Sequence, residues 1–317
     1  MKRRLITTAV GLVLFLGAFA QEKVVSIKYG DMDHWVTRKI HESGIIGGNT
    51  KLLYELGPTQ VIDGNEAYTN KGGSPWANSN VMAKVVGIVK TNTSVYPEKR
   101  GDGYCAKLET HIEKVKVLGM VNITVLASGS LFLGDMKEPI TGTKDGEKAL
   151  NVGVPFNQRP KAVRFDYKVK MSGQPDRIKQ NGFSRKSVVK GQDCAIMTCV
   201  LQKRHEDSEG NIIAKRIGTA VVRYNKSTDW KNKATYEIHY GDISRTSYYD
   251  AEIMRLGVGD YYARNSKGKS VMIKENGWAA ADETPTHMIL QFTSSLGGAF
   301  IGSPGNTFWV DNVELVY

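Results

Sequence analysis

Residues 161–171 read Lys-Ala-Val-Arg-Phe-Asp-Tyr-Lys-Val-Lys-Met, with Val163, Phe165, Tyr167 and Val169 on one face and Arg164, Asp166, Lys168 and Lys170 on the other. A period of two is the pattern of a half-buried strand. Similar runs occupy 113–127, 193–203, 211–224, 234–240, 288–293 and 307–317, and turn signals separate them at 144–146, 206–211 and 303–306. The 33 glycines serve such turns, and strands at this spacing predict an all-β fold, an antiparallel sandwich or barrel. Helix is confined to short pieces: 34–42, following Asp31, and 248–256, with Ser247 as its N-cap. No Pro/Ser-rich linker, charge block or internal repeat divides the chain, so 21–317 reads as one elaborated β domain.

The N-terminus sets the compartment. Lys2, Arg3 and Arg4 precede an apolar stretch from Leu5 to Leu16, and Ala18-Phe19-Ala20 supplies the small residues that a signal peptidase cuts after. The stretch is shorter than the ~20 residues that span a bilayer, so residues 1–20 are expected to be a secretory signal peptide and no transmembrane anchor. The mature protein is then expected in the secreted or periplasmic compartment, with attachment at the cell surface as the variant of that expectation. When the three signal cations leave, the formal charge of the 317-residue chain falls from +11 to +8. The remaining cations alternate with apolar residues from Lys23 to Lys274, which describes solvated sheet faces and argues against nucleic acid as a partner. Hydrophobic residues at 41 % and charged residues at 24 % exclude a largely disordered or multi-span chain. Cys194 and Cys199 stand five apart on a strand, on opposite faces and roughly 16 Å from each other, so with Cys105 they are core residues and not a bridged pair.

The six histidines form no His-Glu-x-x-His set, no Gly-x-Ser-x-Gly elbow is present, and the glycine pairs at 72–73 and 297–298 lack the strand–loop–helix setting of a phosphate cradle. Glycoside hydrolysis needs two carboxylates about 5–9 Å apart, with Glu109, Asp166, Glu237, Asp242 and Asp260 as candidates on strands or strand ends. Aromatics carry more information, because a sugar presents flat C–H faces ringed by hydroxyls and calls for an aromatic platform beside directional hydrogen bonders. Trp76 lies in Gly-Ser-Pro-Trp-Ala-Asn-Ser-Asn with Asn78 and Asn80, and Trp278 follows Glu275-Asn276-Gly277. These two tryptophans are the candidate stacking surfaces. Trp35, Trp230 and Trp309 are assigned to packing.

Several segments, in order, resemble one family. They are Ser-Pro-Trp-Ala-Asn-Ser-Asn at 74–80, Gly-Tyr-Cys-Ala-Lys-Leu-Glu-Thr at 103–110, Gln-Arg-Pro-Lys-Ala-Val-Arg-Phe-Asp-Tyr-Lys at 158–168, Thr-Ser-Ser at 293–295 and Phe-Trp-Val-Asp-Asn-Val-Glu-Leu-Val-Tyr at 308–317, with Tyr-Gly-Asp-Met-Asp-His-Trp at 29–35 ahead of them. Their order and spacing resemble the PCMD family of exported Bacteroidetes proteins. The resemblance implies a jelly-roll β-sandwich similar to carbohydrate-binding modules, and a carbohydrate as partner. Relatives often carry Gly-Asp after the Ser-Ser pair, where this chain has Gly297-Gly298. On this reading Trp76 and Trp278 stack on sugar, while Asn78, Asn80, Lys107 and Glu109 are the polar partners. Asp311, on the last strand, stands where such jelly rolls place a ligand of structural calcium. The leading expectation is glycan binding; a glycoside hydrolase or lyase, and a non-enzymatic adhesion protein, are the alternatives.

Overall fold

The computed structural model describes residues 22–70, 72–117, 121–142, 146–182, 185–298 and 300–317. The expected signal peptide and most of the turn at 144–146 lie outside the described residues.

Eight strands form the framework: Gly103–Glu109, Ser130–Met136, Ala162–Lys170, Ala195–Glu206, Ile212–Tyr224, Thr228–Glu237, His287–Thr293 and Thr307–Val316. One sheet runs in the order 228–237, 162–170, 307–316, 103–109, with Val95–Arg100 at its edge. The other runs 130–136, 287–293, 195–206, 212–224. Every one of these neighbour pairs is antiparallel. Along the chain the strands fall in the first sheet, the second, the first, twice in the second, then the first, the second and the first. That wiring is a jelly roll.

The period-two faces explain the packing. Val163, Phe165 and Val169 of one sheet meet Met197, Cys199, Leu290 and Phe292 of the other in a single buried cluster. Phe165 and Phe292 touch edge to face with centroids 5.0 Å apart, and Tyr224 lies 5.1 Å from Phe308. Aromatic pairs in these geometries add to the area they bury.

The second sheet is extended by Leu150–Val152 at one end and by Ser270–Trp278 and Tyr262–Arg264 at the other. These ends meet, because the Arg264 amide donates to Asn151 Oδ1 at 2.9 Å. The sheet therefore curls on itself. Phe132, Val200 and Ile289 on its outer face, with Ala77, Val152, Leu150 and Tyr261, fill the inside of the curl as a second apolar cluster. In the first sheet the edge strand Thr228–Glu237 shifts register twice against Ala162–Lys170, and Lys233 there adopts φ 53°.

Two helical expectations are corrected. Residues 34–42 contain the strand Trp35–His41, which pairs residue for residue with Thr50–Leu56. Two isolated helical turns are marginal in water, whereas the strand buries Val36, Arg38 and Ile40 on one side. In 248–256 a single helical turn forms at Ala251–Met254, and its cap is Asp250, whose Oδ1 accepts from the Glu252 amide, in place of Ser247. The thiols behave as expected: Cys199 packs between the sheets and Cys194 in a separate cluster on the outer face. Burial pushes their pKa values up to about 12 and about 11.

Phe292→Ala should lower stability by roughly 3–5 kcal/mol, measured as a shifted urea midpoint, because the truncation removes contacts to Phe165, Trp76 and Phe308 together.

Candidate functional site

The tryptophan of the 74–80 segment does not reach solvent. Trp76–Asn78 is a strand, paired with Leu131–Leu133 at the edge of the large sheet, and Trp76 is 0 % exposed. Its indole N–H donates to the Lys28 carbonyl at 2.9 Å, and its ring packs 6.5 Å from Phe292. Trp76 is therefore a core residue, and a stacking role is excluded by burial. Asn78 and Asn80 are also buried and act on backbone. Each donates to the Tyr54 carbonyl at 2.8 Å, Asn80 donates to the Val95 carbonyl, and its Oδ1 accepts from the Ser94 and Val95 amides. Together they staple the Thr50–Leu56 strand to the sandwich.

Lys107 and Glu109 share the outer face of the smaller sheet, as their alternation predicts, and pair with each other at 3.4 Å. They lie on the opposite sheet from Trp278. That residue is half-buried at the end of its strand, 5.4 Å from the Arg216 guanidinium. These predicted residues do not converge.

Asp311 is also engaged. Its carboxylate and that of Asp166, its cross-strand neighbour, both bind Arg100 Nη1, Asp166 at 2.9 Å. Arg100 donates further to Asn232 Oδ1 at 2.7 Å and stacks on Trp230 at 3.9 Å. These two carboxylates hold a guanidinium, which the calcium expected at Asp311 would have to displace. Burial pushes the Asp311 carboxyl up to about 6, against the pull of Arg100. Burial acts the same way on Asp166, but the Lys233 amide, Asn312 and Arg100 hold it below the usual range.

A concavity does lie beside the 74–80 segment. A cleft of about 530 Å³ opens between Tyr68, Thr69, Asn70, Asp135, Lys137 and Arg264. The buried segment supports its wall: Tyr68 Oη donates to the Trp76 carbonyl at 3.2 Å, and Asn70 Nδ2 to the Ser74 carbonyl at 2.6 Å. Glu138 fixes the same wall from behind by accepting from the Tyr68 amide, the Met82 amide and Arg38. Arg38 joins Glu138 to Glu55 at 2.7 and 2.6 Å. Burial raises the Tyr68 pKa, and Glu55, Asp135 and Glu138 raise it further, so the hydroxyl stays protonated.

The mouth is built where the curled sheet closes. Gly134 has φ 148°, and a Cβ there would lie 2.2 Å from the Asn151 carbonyl oxygen, so glycine lets the two strands meet. Asp135 then pairs with Asn151 in register. Its carboxylate accepts from Arg264 Nη1 at 2.5 Å and from Asn151 Nδ2 at 2.7 Å. Asp135 and Arg264 are 31 % and 32 % exposed, so carboxylate and guanidinium face solvent as well as each other. Sequence reading missed both. The Gly134-Asp135 break after Leu131-Phe132-Leu133 is the signal that marks one of them. Trp278 is remote, roughly 25 Å along the strand from Ser270, the residue that pairs with Arg264.

The family model of PCMD, "Putative carbohydrate metabolism domain", matches residues 59–316, which include every lining residue named above. Among solved structures, the chain is similar to a putative glycoside hydrolase from Bacteroides vulgatus ATCC 8482, with 13 % identity over 94 % of this chain and 95 % of that one and a TM-score of 0.39. It is also similar to a non-crystalline cellulose specific carbohydrate-binding module, CBM28, with 11 % identity over 79 % of this chain and 95 % of that one and a TM-score of 0.26. Both scores are below 0.5, so the fold assignment rests on the strand order. No curated protein matches the chain.

Two outcomes follow from these placements. Asn80→Ala leaves the Ser94 and Val95 amides without their acceptor and should cost about 2–4 kcal/mol in urea unfolding. For Asp311, the folded-state pKa of about 6 lies above the ordinary 3.8. The native state therefore keeps a proton that the unfolded chain loses across that window, and this contribution to stability declines as pH rises from about 4 to 6. In Asp311→Asn the urea midpoint should change less between the two ends of the window than it does in the wild type.

Proposed function

Because the chain belongs to the PCMD family, we propose that it is an exported carbohydrate-binding protein whose ligand lies in the cleft between Asn70, Asp135 and Arg264. The observation that carries this reading is the half-exposed set at the mouth. Asp135 offers carboxylate acceptors, Arg264 offers guanidinium donors, and both are held in place by Asn151. Sugar hydroxyls both donate and accept, so adjacent hydroxyls can bridge such a pair. Tyr68 is buried, and recognition here runs through hydrogen bonds in place of ring stacking.

Binding is favoured over hydrolysis by the carboxylates. Among the described residues lining the cleft, Asp135 is the one acid, and general acid catalysis with a second carboxylate needs a pair. The pairs Glu55 with Glu138 and Asp166 with Asp311 each have an arginine between them. Export rests on the sequence of residues 1–20.

Isothermal titration against a panel of plant and host oligosaccharides tests the proposal. At least one should bind the wild type and bind Arg264→Ala at least about tenfold more weakly, with unchanged thermal unfolding and no release of new reducing ends. Silence across the panel from folded protein, or equal affinity in the variant, sinks it.

A further inference from the structure

The hairpin Val81–Val85 and Ile88–Asn92 carries the most exposed large apolar side chain among those described. Val85 pairs with Ile88, so Val86 and Gly87 form a two-residue loop with φ 49° and 79°. Positive φ at both positions is the type I′ turn, whose favoured sequence is Asn-Gly. A β-branched residue in that conformation is strained. Val86 nevertheless stands there, 96 % exposed, and a Cβ added at Gly87 would meet nothing within 4 Å. The tip projects into solvent.

The base of the hairpin is rigid. Met82 packs with Ile40 and Leu53, its amide donates to Glu138, and the Lys84 amide donates to the Ile140 carbonyl. A second apolar point sits beside it. The turn Gly44–Ile46 is tied to the hairpin by Ser43, whose amide donates to the Val89 carbonyl and whose Oγ accepts from the Val89 amide, and its Ile45 is 53 % exposed.

Among the described residues the exposed charge beside the tip is cationic. Lys84, two residues before Val86, and Lys114, on the strand His111–Val117 that borders the Gly44–Ile46 turn, are exposed. The nearby acids Glu42 and Glu113 both bind Lys90, and Glu113 also faces His111. Apolar points flanked by cations complement one surface in particular, a bilayer with anionic headgroups, where the side chains enter the acyl boundary and the lysines meet phosphate.

We propose that Val86 and Ile45 form a membrane-docking tip that seats the protein on an anionic lipid surface. The reading is independent of the cleft. Co-sedimentation of the full mature chain with phosphatidylcholine vesicles, with and without phosphatidylglycerol, tests it. The wild type should pellet with the anionic vesicles, less so as salt is raised. Val86→Asn installs the favoured turn residue, so it should unfold at the same or a higher temperature while its bound fraction drops about fivefold or more. Ile45→Ser and Lys84→Glu should weaken binding in the same direction. The proposal is overturned if the wild type stays in the supernatant with both vesicles, or if Val86→Asn pellets as the wild type does. It is equally overturned if the wild type binds no vesicle and Val86→Asn instead shifts its elution in gel filtration, which would assign the tip to a second copy of the chain.

Discussion

The edge-to-face contact of Phe165 with Phe292 joins the two sheets at their middle, and most of the molecule is arranged around it. Phe165 also touches Tyr167 and Tyr236, and Phe292 touches Trp76 and Phe308. This aromatic layer fills the roughly 10 Å between packed sheets. A polar atom buried in such a layer is costly unless it finds a hydrogen-bond partner. Trp76 obeys the constraint by sending its indole N–H to the margin, where the Lys28 carbonyl receives it. The residue that looks most like a ligand platform in the sequence is thus spent on closing the core.

Charge is handled by a repeated device. Arg38 between Glu55 and Glu138, Arg100 between Asp166 and Asp311, and Arg216 against Glu275 each neutralise carboxylates that burial would otherwise penalise. In all three the arginine and the acids are mostly or wholly covered. Asp135 with Arg264 uses the same chemistry under the opposite condition, about a third exposed on both sides. Partial exposure is what the proposed ligand needs of this pair.

The strands were legible because period-two alternation is a local property, and three of the segments that carry the family resemblance, at 103–110, 158–168 and 308–317, lie on framework strands. Burial of Trp76 was not legible. Gly73-Ser74-Pro75 reads as a loop, and only pairing with Leu131–Leu133, more than fifty residues on, turns the next three residues into an edge strand. Asn78 and Asn80 look like ligand groups in isolation, yet their partners are backbone atoms of strands that sequence spacing does not bring near. The cleft was hidden for a stronger reason, since Asp135 and Arg264 are separated by 129 positions and meet only when the sheet curls. Residues 34–42 show the converse error. Val36 and Ile40 suit one face of a helix, and the register with Thr50–Leu56 overrides that local preference.

The curl of the large sheet also bears on how such a chain stays dispersed at high concentration. An open sheet ends in unpaired amides and carbonyls, which template the addition of strands from other molecules. Here one end of the sheet is joined to the other through Asn151 and Arg264. On the smaller sheet the edge strand Thr228–Glu237 is interrupted by two register shifts and carries Lys231 and Lys233, both exposed. Bulges and lysines make a poor template. These two edges are thereby guarded against edge-to-edge pairing, and the guard on the larger sheet is the same closure that shapes the mouth of the cleft.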